Sequence, residues 1–155
     1  MLDTLRPSGV VSAAASGADL IVLEEAIIRS IAIHVVLPIS REEFVNKSVA
    51  DAGPDWVSSF NAVLQHASAG RGSSSILQGD AVSSGQWYLA AHDELLGRAV
   101  VLADGQPIVA LTIRPPEGEI PPSGTDEFAS RAARLGLLVL NIDPRAGSPA
   151  SVTIG

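Results

Sequence analysis

The chain has 155 residues, 46% of them hydrophobic and 17% charged, which is the composition of one ordinary globular domain and not of a disordered or fibrous chain. Seventeen acids against ten bases give a formal charge of −7, which argues against a protein that coats a nucleic acid polymer or an anionic membrane, because phosphate binding needs clustered cations. Cysteine is absent, so disulfides, thiolate catalysis and cysteine-type zinc sites are excluded.

Leu2 and Leu5, followed by Pro7, read as the last turn of a helix. Gly9 to Ala13 is a short β-branched run suited to a buried strand. Leu20, Leu23, Ile27, Ile28 and Ile31 then recur at helical spacing, with Glu24, Glu25 and Arg29 on the other face. Ala32 to Leu37 is nearly all apolar and is stopped by Pro38, as expected of a parallel strand covered on both faces. The charges in the window Leu20 to Ile39 rule out a membrane span there, and the first twelve residues lack the pattern of a signal peptide. The expected compartment is the cytoplasm.

Ser40-Arg41-Glu42-Glu43 fits a capping box and starts a helix at Arg41. Asp51 to Pro54 is a turn, and Asp55 opens a helix with Trp56, Phe60, Val63 and Leu64 on one face. Ala69 to Ser75 reads as a flexible loop, with at most a very short strand at Ser75 to Leu77. A helix is predicted from about Ala81 to Val101, with Trp87, Ala91, Leu95 and Leu96 inward, and a strand from Pro107 to Ile113. Arg114 to Ser123, with four prolines, is a loop. A helix from Gly124 to about Leu135 is closed by Gly136, and Leu137 to Ile142 is the last strand. The alternation of strand and helix predicts an α/β, Rossmann-like three-layer α/β/α domain over residues 1–145, with a mostly parallel sheet of about four to five strands. Residues 146–155 read as a loose tail.

In such a sheet, ligands bind beyond the carboxyl ends of the strands, where helix N-termini offer free N–H groups. Two junctions have this grammar. One runs from the first strand through Ser16, Gly17 and Asp19; the other runs from the strand ending near Arg114 to Ser123, Gly124 and Thr125. If both face one crevice, Gly17, Gly124 and Thr125 take an anionic group, Ser16 donates a hydroxyl, Asp19 or Asp126 accepts sugar hydroxyls, and Arg114 pairs with an anion. The alternative is that these residues are ordinary helix caps. Gly70-Arg71-Gly72 lacks the third glycine of a dinucleotide loop. His34, His66 and His92 lack metal-ligand spacing, and His34 reads as a satisfied core residue. No metal and no cofactor is expected.

Ser16-Gly17-Ala18-Asp19, an apolar helix and then His34-Val35-Val36-Leu37-Pro38 resemble the SLOG-type Rossmann-like superfamily, which contains the Lonely Guy phosphoribohydrolases and the DNA-processing protein A family. The bacterial SLOG-like domains of unassigned function are more similar still, through Arg41-Glu42-Glu43-Phe44, Ser48-Val49 and Trp56 with Phe60. Members of the superfamily begin with a strand and a glycine loop, and Met1 falls in the helix that follows them, so the resemblance implies either a late start or a missing first strand. It also implies a nucleotide or nucleotide-derived ligand, held by a sensor or non-catalytic module. The other readings are a hydrolase of nucleotide N-glycosidic bonds and a degenerate fold kept for protein contact, with a homodimer expected. Phe128 stands where the Lonely Guy enzymes carry their catalytic glutamate. Glu127 is one residue early, a rotation of about 100° on a helix. Hydrolysis would therefore fall to Asp126 or Glu127.

Overall fold

The computed structural model describes residues 1–70, 72–77, 87–115 and 123–145. It divides into two compact units, Met1–Ala99 and Val100–Gly155, each considered by itself. In chain order the elements are α1 (Leu2–Leu5), β1 (Gly9–Ser12), α2 (Ala18–Ile28), β2 (Ala32–Leu37), α3 (Arg41–Ser48), a 3-10 turn at Ala50–Ala52, α4 (Pro54–Ser68), β3 (Gly72–Ile76), α5 (Trp87–Ala103), β4 (Val109–Ile113), α6 (Gly124–Arg134) and β5 (Leu138–Ile142). The predicted α/β class holds, and every strand pairing is parallel. The five strands form a three-stranded sheet in the order β1-β2-β3 and a two-stranded sheet of β4 and β5. Alternation of elements fixes the class, but it does not say how many sheets the strands make.

In the first unit β2 is the central strand, with Val10 opposite Ile33 and Ser12 opposite Val35 on one side, and Ile33, Val35 and Leu37 opposite Gly72, Ser74 and Ile76 on the other. Residues paired in register share a face. On that face Ile33, Val35 and Leu37 join Leu20, Leu23 and Ala26 of α2 and Phe60, Val63 and Leu64 of α4 in one buried cluster. Phe44 of α3 completes it, its ring centroid 6.0 Å from that of Phe60. Trp56 and Trp87 are partly buried against the same core. The apolar periodicity of α2 and α4 therefore has one cause, the need to cover a single face of β1, β2 and β3. Arg29 at the end of α2 bonds Asp3 of α1 at 2.8 Å, which pins the short first helix.

β3 corrects the expected flexible loop. Glycine and serine have weak strand propensity, but pairing along the whole length of β2 outweighs it. Gly72 is required there by space: a Cβ would lie 1.9 Å from the Ile33 carbonyl oxygen, a backbone atom that cannot move aside without breaking the ladder. The predicted helix beginning near Ala81 is observed from Trp87, its first residues lying outside the described ones, as do Arg71, most of the proline-rich loop and the tail.

In the second unit β4 and β5 run in register from Val109–Leu138 to Ile113–Ile142. α6 stops at the expected place, with Gly136 at φ 74°. Among the described residues no helix is long and apolar enough to cross a membrane.

Phe60→Ala, which empties a fully buried site, is expected to destabilise the fold by about 3–5 kcal/mol in urea denaturation. Gly72→Ala is expected to lower the unfolding midpoint strongly, although alanine is otherwise the smallest addition; a midpoint equal to that of the native chain would contradict the backbone contact.

Candidate functional site

The two sequence junctions fall in different units, and each is built differently. In the first unit β1 ends at Ser12 and the chain must turn from the strand into α2 within five residues. It does so with two residues at positive φ, Gly17 at 90° and Ala14 at 64°. Glycine adopts this conformation freely, whereas an alanine held there costs about 1–2 kcal/mol. Ala14 is also completely buried, so the core fixes it in place. The Ser16 N–H donates to the Ser48 carbonyl oxygen at 2.8 Å, tying the loop to the end of α3.

Asp19, in the first turn of α2, does not project from the helix. Its carboxylate folds back beneath the loop and accepts from the Ala15 N–H at 3.3 Å and from the Ser12 hydroxyl. Burial pushes its pKa above the ordinary aspartate value, and these two donors only partly oppose the shift. Gly17, at the N-cap, supplies no side-chain cap. The Leu20 N–H reaches the Ala15 carbonyl, and the Ile21 N–H reaches that of Gly17. The amides of Gly17 and Ala18 have no hydrogen-bond partner among the described residues. The space beside Gly17 is open, with no atom within 4 Å of where a Cβ would sit. The arrangement leaves partial positive charge at a helix opening beyond the carboxyl end of a parallel strand, next to the Ser16 hydroxyl.

The second junction already contains an anion. The Asp126 carboxylate accepts from the Ser123 N–H at 2.7 Å and from the Ser123 hydroxyl at 3.1 Å, and it is ion-paired with the Arg114 guanidinium. Its bonds to Ser123, and then the charge of Arg114, hold its pKa below the usual carboxylate value. Gly124 and Thr125 stand in the first turn of α6 beside this internal carboxylate. Glu127 is paired with Arg131 at 2.9 Å and with Arg134 at 3.5 Å. Both carboxylates considered for hydrolysis are thus engaged by cations of their own helix or strand end. Behind them the Thr112 hydroxyl donates to Asn141 Oδ1 at 2.9 Å, and Asn141 Nδ2 donates to the Arg114 carbonyl at 3.2 Å. This chain of bonds fixes the end of β4 against β5.

His34 lies on the opposite face of the three-stranded sheet from the main core. Its Nδ1 is 2.9 Å from the hydroxyl of Ser73, its register partner on β3. Burial, and secondarily the charge of Arg98, holds its pKa below the ordinary value of 6.5. Among the described residues no three metal-ligating side chains gather.

Sequence reading located Ser16, Gly17 and Asp19 but missed Ser12 and Ala14. Ser12 was legible as a hydroxyl at a strand end seven residues before an acid. Nothing in a run of three alanines marks the second of them as left-handed. Comparison with known proteins found no matching family model, no matching curated protein and no matching solved structure.

Two titrations follow from these environments, with opposite signs. The unfolded chain protonates His34 near 6.5 and the native state only at lower pH, so stability falls as pH drops below 6.5. His34→Asn is expected to flatten that fall between neutral and mildly acidic pH in urea denaturation. For Asp19 the native pKa is the higher one, so ionisation removes stability as pH rises through it. Asp19→Asn is therefore expected to gain on the native chain from acid to neutral pH, and a constant difference would contradict the burial of the carboxylate.

Proposed function

We propose that the chain is a non-catalytic binding module for a nucleotide or nucleotide-derived ligand, and that the ligand's phosphate is received at the opening of α2. The observation that carries this reading is the β1–α2 loop. A fully buried alanine is kept in a strained conformation and Gly17 is kept at positive φ, and the outcome is a helix N-terminus without a side-chain cap. Strain of this kind persists only where the surroundings impose it, and it concentrates at ligand clamps. The Gly17 and Ala18 amides supply the anion-binding donors, and Ser16 adds a hydroxyl. Asp19 acts from below, shaping the loop, because its oxygens are turned toward Ser12 and Ala15.

The resemblance to SLOG-type domains supports a nucleotide as the ligand class, through Ser16-Gly17-Ala18-Asp19 and the strand that ends in Leu37-Pro38. The α6 opening is a poorer receptor, because Asp126 already fills the position that a phosphate would take. The ion pairing of Asp126 and Glu127 leaves neither of these two carboxylates free for hydrolysis.

Isothermal titration calorimetry with AMP, ADP and NAD tests the proposal. At least one is expected to bind, and Ser16→Asp, which sets a negative charge beside the α2 amides, is expected to weaken it by tenfold or more, about 1.4 kcal/mol. Thr125→Asp is expected to leave the affinity unchanged. No heat with any of the three, or equal affinity in Ser16→Asp, would overturn it.

A further inference from the structure

A concavity lies at the other end of α3 from the β1–α2 loop. It has a volume of about 350 Å³, within the range of about 300–1,000 Å³ typical of small-molecule sites. Leu37 and Ile76, the last residues of β2 and β3 and partners in register, form part of its wall, so it too opens at the carboxyl end of parallel strands. Its apolar surface comes from Leu37 and Leu64, both buried, and from Ile76, which is half exposed. Its polar surface comes from α4, through Asn61, Gln65 and Ser68, and from Ser74 and Ser75 of β3. Arg41, the first residue of α3, is the single charged group among the described lining residues. Its guanidinium donates to Asn61 Oδ1 at 2.7 Å, which orients it, and it meets no carboxylate among the described residues.

Among the described arginines, Arg41 shares the lack of a carboxylate ion pair with Arg6, and of the two it is Arg41 that lines the concavity. Arg29, Arg98, Arg114, Arg131, Arg134 and Arg145 each have a carboxylate partner within the chain. A guanidinium held by a neutral amide keeps its charge uncompensated and retains further N–H donors for a planar anion. With an apolar patch beside it, the concavity is complementary to an anion that carries hydrocarbon. We propose that this groove binds a small molecule in which one carboxylate or phosphate is joined to a short apolar body, the anion on Arg41 and the body against Leu37, Leu64 and Ile76. The site is independent of the α2 opening, and its failure would leave the nucleotide reading untouched.

The full chain, labelled with 15N, is titrated with hexanoate, hexyl phosphate and, as a cationic counterpart of the same length, hexylamine. Saturable amide shifts centred on Leu37, Arg41, Leu64 and Ile76 are expected with an anion and not with hexylamine; whichever anion binds more tightly assigns the head group. Arg41→Gln, which removes one charge-assisted contact, and separately Gln65→Glu, which sets a negative charge in the groove, are each expected to weaken binding by about tenfold. Absence of saturable shifts with both anions, equal shifts with hexylamine, or unchanged affinity in Arg41→Gln would overturn the proposal.

Discussion

The carboxylate of Asp19 lies in a place that costs it solvation, and the geometry around the carboxyl end of β1 depends on it. Beneath the loop it draws in the Ala15 N–H and the Ser12 hydroxyl, bridging the last residue of the strand and the first turn of the helix. With those two points joined, the intervening backbone has little freedom, and Ala14 and Gly17 are left at positive φ. The same bridge explains why α2 begins without a side-chain cap. The acid that sits in its first turn bonds back to Ser12 and Ala15, and the Gly17 and Ala18 amides ahead of it are left without a hydrogen-bond partner among the described residues. A helix dipole favours an anion at this position, and the chain's own anion has been withdrawn from it.

α6 illustrates the opposite solution. Its acid in the first turn, Asp126, reaches back to Ser123 and across to Arg114, and so satisfies the helix opening from within. Both junctions share a small residue, an acid and a helix start in sequence, and both terminate a parallel strand. What separates them is the direction of one side chain. At α2 the acid is recruited by a strand-end hydroxyl below; at α6 it is recruited by a cap above and a cation beside it. Thr112, Asn141 and the Arg114 carbonyl hold that cation's backbone in position.

Much of the architecture was readable from pattern. Ala32–Leu37 was bounded by its apolar run and Pro38, α3 by Ser40, which accepts from the Glu43 N–H, and α6 by Gly136. These are local signals with local causes. β3 was not legible as a strand, because Gly72-Ser73-Ser74-Ser75 gains its conformation from β2 and from the close approach to Ile33 rather than from its own side chains. His34 read as a satisfied core residue; it is satisfied by Ser73, a partner 39 positions away, but it is only partly buried and lies on the sheet face away from the main core. Of the candidate site, the residues were legible and their orientations were not. Spacing places Asp19 and Asp126 equivalently; only the folded surroundings distinguish them. The groove beside Arg41 gave no sequence signal, since its lining comes from two strands and two helices with no shared motif.

The inward carboxylate is also open to direct measurement. A 13C-detected titration of the Asp19 side chain, with the Ala15 amide followed in parallel, reads both its burial and its bond. The midpoint is expected above the ordinary aspartate value of 3.8, with the Ala15 resonance moving at the same midpoint. A midpoint at or below 3.8, or an Ala15 amide indifferent to the titration, would contradict the buried, bonded carboxylate.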